Sequence, residues 1–463
     1  MKSEKLRMKN YKHYILLLLL SLLVIGCSKD DDGSSPTSGT RRTIIVFFAA
    51  DNNLSTDNVE AAQKDFEEIV TGSKKLPSDC KLIVFMDTQK SKPYIAEINN
   101  GDSYTIKSYT TETSTASSED ICEALQFIVD AYPAKSYGLV LWGHGTGSVI
   151  TNAVTQNSLS LSYAEDDLFN RPNAYGVDVT NGNKWINIPT LATTLSNVKD
   201  NNGNSIYFDY IFFDACLMMS AENAYELRNN ARYIIGATCE TPSYGAPYET
   251  FTTMLAGNLE NIPKTTIDSY IDDNDWSYKF DGVCLSAIDT KKVESLLLAT
   301  KTALETLKPL NINKGVELSL VPKESTCTPA ATSCIYYYKV DNDFYGNKSS
   351  YAMHIFYDIN DVMKANLSTE RYEQWYKALD EAVVYARSPR DIRESKKHDW
   401  IGTYYDSPLG DSDFYSFYIP STTYKCLSFF VPLSLYKNTR PCINTRMYDY
   451  EWCNKVGWKD LGW

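Results

Sequence analysis

Eleven cysteines are spread over 463 residues, and no two of them read CxxC. That excludes a zinc knuckle and a thioredoxin-type redox pair. No run matches an EF-hand loop, so any calcium site is irregular. Positive charge is in deficit: 45 Lys and Arg stand against 58 Asp and Glu, a formal net charge of -13. Extended contact with nucleic acid phosphates is thereby excluded. No internal repeat is visible, and after Ile25 no apolar run is long enough to cross a bilayer. Histidine is scarce, with only His13, His144, His354 and His398.

What is present begins with targeting. Lys2, Lys5, Arg7, Lys9 and Lys12 precede the apolar run Tyr14 to Ile25, which reads as a secretory signal, with an uncleaved anchor as the alternative. It ends in "VIGC", similar to the lipobox of bacterial lipoproteins, where Cys27 would be acylated and become the mature N-terminus. Residues 1–26 are then a signal peptide. Residues 27–41, with "SKDDDGSSPTSGT", form a polar tether. The expected location is extracytoplasmic, lipid-anchored to the outer membrane or cell surface. In that compartment Cys327 with Cys334, and pairs among Cys426, Cys442 and Cys453, are open to disulfide formation.

The remaining chain, 43% hydrophobic over its length, is sufficient for a large core. "TIIVFFAA", "KLIVFMDT", "GLVLW" and "YFDYIFF" predict strands, the first three apolar enough to be covered on both faces. "DNVEAAQKDFEEIVTG" and "SEDICEALQFIVDAY" between them carry apolar residues at helical spacing. The alternation predicts an α/β fold, a mostly parallel sheet with helices on both faces. Residues 42–310 make up this domain. Residues 311–463 form a mixed α+β region of unknown role, with a helix over Arg371 to Ala386.

In a sheet of this kind ligands sit beyond the carboxyl ends of the strands. His144, between Gly143 and Gly145, lies just past one predicted strand, and Cys216 of "DAC" just past another. "LMMSAENAYELRN" predicts a helix starting almost on Cys216, whose dipole would favour a thiolate. His144 could take and return the proton, and the N–H groups of Gly145 and Cys216 could form an oxyanion hole. The alternative is a buried structural cysteine and an unrelated histidine. Ile150 to Gly203, polar and turn-rich, predicts a long exposed loop with a hairpin at "DVTNGNK".

"TIIVFFAADNNL", "LVLWGHGTG", "FDYIFFDACLMMSAENAYEL" and "YIIGATCETPSYGAPY", in this order, resemble the clostripain family of cysteine peptidases, a caspase-like group. The resemblance covers about Arg42 to Leu310 and implies a caspase-like fold. It also implies that His144 and Cys216 are the catalytic dyad of an endopeptidase cleaving after Arg or Lys. Asp214 would line the pocket for the basic side chain, with a helix cap as its alternative role, and Glu240 is a second acid for the pocket wall. The chemistry needs no cofactor. Some relatives use calcium, but no residue set can be assigned to it from the sequence. Some are cut between the catalytic residues, where Arg171, Lys184 and Lys199 are the residue types such a pocket accepts. The expected partners are peptide substrates and, through the lipid, a membrane. Two rivals stand: a surface lipoprotein using the fold to bind protein or glycan without turnover, and a ligase of the same fold.

Overall fold

The computed structural model describes residues 39–148, 175–274, 283–307, 318, 336–340, 353–387, 425–433 and 443–463. The signal, Cys27, Arg171, Cys327, Cys334 and Cys442 lie outside them. The strands are β1 (Arg42–Ala50), β2 (Cys80–Thr88), β3 (Ser91–Asn99), β4 (Asp102–Ser108), β5 (Ser136–Gly143), β6 (Tyr175–Asp178) and β7 (Lys184–Ile186). They continue with β8 (Phe208–Asp214), β9 (Ala231–Ala237), β10 (Leu285–Asp289), β11 (Tyr336–Val340), β12 (Met353–Asp358), β13 (Val383–Arg387) and β14 (Ser428–Phe429).

Nine of these make one sheet in the order β13-β10-β9-β8-β5-β1-β2-β3-β4. The five central strands, β9-β8-β5-β1-β2, are parallel, as the apolar runs predict. Both margins turn antiparallel: β3 and β4 form a meander on β2, and β10 and β13 continue from β9. All nine residues of β1 are buried, because a strand covered on both faces has no solvent side for alternation to mark. Each of Ile44, Ile45, Val46, Phe47 and Phe48, at 1% exposure or less, contributes about 1.5–3 kcal/mol of burial.

The helices are α1 (Ala61–Gly72), α2 (Ser118–Ala131), α3 (Ile188–Asn197), α4 (Ala221–Glu226), α5 (Tyr248–Leu255), α6 (Ile262–Asp272), α7 (Thr290–Glu305), α8 (Ile359–Asn366), α9 (Thr369–Ala382) and the short α10 (Ile443–Arg446) and α11 (Glu451–Lys455). α1 packs on α5 and α5 on α6, while α2, α3, α4, α7 and α9 form a second contacting series, so helices flank the sheet on both faces. α2 shows why the pattern works. Ser117 caps it by accepting the Asp120 N–H at 3.3 Å, and Ile121, Ala124, Leu125, Ile128 and Val129 bury one stripe.

Three expectations are corrected. The stretch 175–203 is not an exposed loop: it holds the predicted hairpin, β6 on β7, followed by α3 with Pro189 in its first turn. The C-terminal helix stops at Ala382, and residues 383–387 instead become β13, so the central sheet runs past residue 310. Cys426 and Cys453 carry free thiols, so those two do not pair.

Arg42 at the start of β1 ties the sheet to the α5 side. Its guanidinium bonds Asp209 at 2.6 Å and the carbonyls of Leu255 and Gly257 at 3.2 and 2.8 Å, with 4% of the side chain exposed. Replacement by methionine would leave Asp209 without its charge partner. Arg42→Met is expected to cost about 3–5 kcal/mol, read by urea unfolding.

Candidate active site

The register of β5 on β8 decides what meets at the carboxyl edge. Trp142 lies beside Asp214 in this parallel pair, so two residues further on each chain His144 and Cys216 emerge at the same place. Gly145 completes the approach: a Cβ there would lie 2.4 Å from the Cys216 carbonyl oxygen and 2.9 Å from the Met218 side chain. Only glycine permits the two loops to touch. The Gly176 N–H donates to the His144 carbonyl at 2.9 Å, which pins the loop to β6. Neither the Gly145 nor the Cys216 N–H has a backbone acceptor among the described residues.

His144 is half-buried, and its Nε2 stands 2.6 Å from Asn53 Oδ1. An amide oxygen accepts, so Nε2 carries a proton. Trp185 of β7 flanks the ring, with centroids 6.4 Å apart. The role of Asn53 was not anticipated. Its signal lay in "AADNNL", just beyond β1, where Asn52 caps a short 3-10 turn by accepting the Leu54 N–H at 3.1 Å.

Cys216 does not stand at a helix start, which corrects the sequence reading. The N–H groups of Leu217 and Met219 donate to the carbonyls of Cys239 and Ala237 at 2.9 and 2.8 Å, so the chain runs on beside the end of β9. Leu217 takes a left-handed φ of 64°. The helix, α4, begins only at Ala221, capped by Ser220. Its dipole is therefore too far from the thiol to act, since the effect fades within the first turn.

The thiol is instead held by Thr241. Sγ accepts the Thr241 N–H at 3.2 Å and lies 3.4 Å from its hydroxyl and 3.7 Å from its carbonyl oxygen. Burial pushes the thiol up to about 12, the Glu240 charge adds to that, and the contacts from Thr241 oppose it. At neutral pH this is a protonated sulfur. To act as a nucleophile it would need a base to take that proton.

Asp214, expected to line the pocket for a basic side chain, is enclosed on several sides. It is 4% exposed, and it accepts from the Ala246 N–H at 2.9 Å, Tyr248 Oη at 2.9 Å and Tyr270 Oη at 3.2 Å. Nor does it cap a helix. Burial raises its carboxyl, against these three bonds. Asp65 lies close by and accepts the Trp142 indole N–H at 2.6 Å. Gly245, at φ 57°, wedges between them; a Cβ there would meet Asp65 and Asp214 oxygens at 2.5 and 2.8 Å. Glu240, by contrast, is half-buried and its charge reaches Cys216.

Of the basic residues proposed for self-cutting, Lys184 is exposed at the first position of β7. Lys199 is tied down, its Nζ donating to Ser196 O and Ser205 Oγ at 2.8 Å each.

A family model described as the clostripain family matches residues 46–405. Among solved structures the chain is similar to an inactive zymogen C11 protease from Parabacteroides distasonis, with 22% identity and a TM-score of 0.62 over 90% of this chain and 98% of that one. It is also similar to a secreted C11 cysteine protease from Bacteroides thetaiotaomicron, solved with an irreversible peptide inhibitor. There the identity is 21% and the TM-score 0.65, over 90% of this chain and 99% of the other. These likenesses establish the caspase-like fold. No curated protein sequence matches the chain. None of the described helices is long and apolar enough to cross a membrane.

The position of Glu240 sets a measurable sign. A nearby carboxylate disfavours the thiolate, so Glu240→Gln is expected to lower the Cys216 pKa and speed its alkylation by iodoacetamide at pH 7. The rate is followed by mass spectrometry of the Cys216 peptide. A slower or unchanged rate would remove Glu240 from the thiol's surroundings.

Proposed function

The chain belongs to the clostripain family, a family of cysteine peptidases, and from that premise we propose an endopeptidase that cleaves after Arg or Lys with Cys216 and His144 as its dyad. The observation that carries this reading is the contact of Gly145 with the Cys216 carbonyl, which sets the histidine loop against the cysteine loop at the carboxyl edge. His144 Nδ1 takes the thiol proton as Sγ attacks the peptide carbonyl. The N–H groups of Gly145 and Cys216 receive the oxyanion. The imidazolium then gives its proton to the leaving amine, a thioester remains on Cys216, and water resolves it. Asn53 keeps the ring in the required tautomer.

For the basic side chain we assign Glu240 as the charged partner, because Asp214 is enclosed by Ala246, Tyr248 and Tyr270. Asp214 then acts by holding the wall that carries these residues. In the sequence, "VIGC" supports acylation of Cys27 and a lipid-held enzyme outside the cytoplasm. Self-processing, where it occurs, falls after Arg171, since Lys199 is fastened and Lys184 opens a paired strand.

Peptides carrying Arg, Lys, Asp or Leu at the cleaved position test the reading. Cys216→Ala and His144→Ala are each expected to lose about 10⁴-fold or more in turnover, with the fold intact by circular dichroism. Glu240→Gln is expected to lower Arg turnover about 10²-fold relative to Leu, whereas Asp214→Asn should lower stability and affect all peptides alike. Failure of the wild type to cut any of them would favour a binding protein on a peptidase fold.

For the anchor, Cys27→Ser should leave the protein in the supernatant after membranes are pelleted. Intact mass of wild type against Cys216→Ala decides self-processing: a cut after Arg171 in the wild type alone is the expected outcome.

A further inference from the structure

Three thiols outside the proposed dyad lie together behind the Cys216 loop. Cys239 comes two residues after β9, Cys284 directly before β10, and Cys426 two residues before β14. All three are fully buried, and in this structure all three are free thiols. The Cys284 S–H is in hydrogen-bond contact with the sulfurs of both Cys239 and Cys426, which makes it the middle member of a row.

The pairing of β9 with β10 decides which neighbour is better placed to join it. Leu285 stands opposite Ala237 in this antiparallel pair, and one step further the Thr238 N–H donates to the Cys284 carbonyl at 3.0 Å. Backbones paired in this way stand about 4.5–5.5 Å apart, and a disulfide spans about 4.4–6.8 Å between Cα atoms. Cys239 follows directly, and its Sγ accepts the Cys284 N–H at 3.2 Å. That sulfur is therefore held against the residue whose thiol would meet it. Cys426 approaches from another sheet: its carbonyl accepts the Ser286 hydroxyl, and β14 beyond it pairs with β12.

Burial pushes the Cys284 thiol well up from its ordinary value, and the contacts with Cys239 and Cys426 add to that. In the finished fold it is a protonated, shielded group of little reactivity. Oxidation therefore belongs to the folding chain or to its transient openings. A bond once made is shielded from reductant by the same core.

We propose that Cys239 and Cys284 form a disulfide when the chain meets a disulfide oxidant, the class of reagent found outside the cytoplasm. One cysteine attacks, as its thiolate, a sulfur of the oxidant's disulfide, giving a mixed disulfide and releasing one thiol. The other loses its proton and attacks the protein sulfur of that mixed bond, releasing the second thiol. Two protons and two electrons pass to the oxidant, and Cys426 stays reduced. The bond ties the turn at 238–241 to the start of β10. That turn seats the Cys216 thiol, because the Cys239 carbonyl holds the Leu217 N–H and the Thr241 N–H donates to Cys216 Sγ. The consequence for Cys216 rests on the peptidase reading; the bond itself does not.

The test takes the full chain carrying Cys216→Ala, which removes both turnover and a competing thiol. It is equilibrated in reduced and oxidised glutathione at pH 8, with urea below the unfolding transition so that the core opens transiently. After blocking with N-ethylmaleimide and digestion, mass spectrometry is expected to find Cys239 and Cys284 mainly as one joined peptide. The oxidised protein is expected to melt several degrees above the reduced one. Cys284→Ser should lose most of that rise, and Cys426→Ser should keep it. Recovery of Cys239 and Cys284 as blocked thiols, a Cys284–Cys426 bond in their place, or an equal rise in Cys284→Ser would each overturn the proposal.

Discussion

The parallel pairing of β5 with β8 is the constraint on which the rest depends. It sets Trp142 beside Asp214, and every group of the site is counted from there. A slip of one residue would turn each side chain to the opposite face, taking the buried Phe212 and Leu141 out of the core with it. The core therefore enforces the alignment of the site. Gly145 adds the last step, since any side chain there would drive the two loops apart by its collision with the Cys216 carbonyl.

Carboxylates shape the remainder. Asp65 and Asp214 lie beneath the β5 and β8 ends, each raised by burial and each bonded to aromatic or backbone donors. Those bonds connect α1, α5 and α6 to the sheet at the level of the site. Glu222 in α4 does similar work on the other side, accepting the Phe430 N–H at 2.9 Å and sitting 3.5 Å from Ser148 Oγ, with burial pushing it up to about 7. A protein with an excess of acid has placed several of its acids inside, where each must find a donor, a proton or a cation.

How much of this was legible follows from the range of each interaction. The four apolar strands, α1, α2 and the two loops holding His144 and Cys216 could be read because local periodicity and the strand-end rule suffice for them. The start of α4 could not. "SAENAYELRN" carries helical signals, but the N–H groups of Leu217 and Met219 are captured by carbonyls of Cys239 and Ala237 at and just past the end of β9, and those partners are distant in sequence. The same holds for β13, whose residues continue a helical pattern until pairing with β10 takes them. The burial of Asp214 depends on Tyr248 and Tyr270, 34 and 56 residues further along the chain. No local pattern contains either. Asn53 was within reach, because it sits in a motif that was noticed without a role being given to it.

The last third of the chain is best understood from the needs of the Cys216 loop. Residues 217–220 are buried without belonging to a helix or a named strand, so their polar groups require outside partners. The end of β9 and the residues just past it supply carbonyls on one side, Ala237 for Met219 and Cys239 for Leu217. On the other, the Ser428 N–H and hydroxyl donate to the Met219 carbonyl at 3.3 and 3.0 Å, and Tyr450 Oη bonds Asn223 Oδ1 at 3.1 Å. Trp452 packs edge-on against Tyr225, with centroids 5.9 Å apart, and closes α4 from outside. The cysteine loop is thus clamped between a central strand and the C-terminal segment. In the proposed mechanism a thiol neutral at rest would depend on its base and its oxyanion donors being in position when the substrate arrives, and a clamped loop would meet that demand without help from a helix dipole.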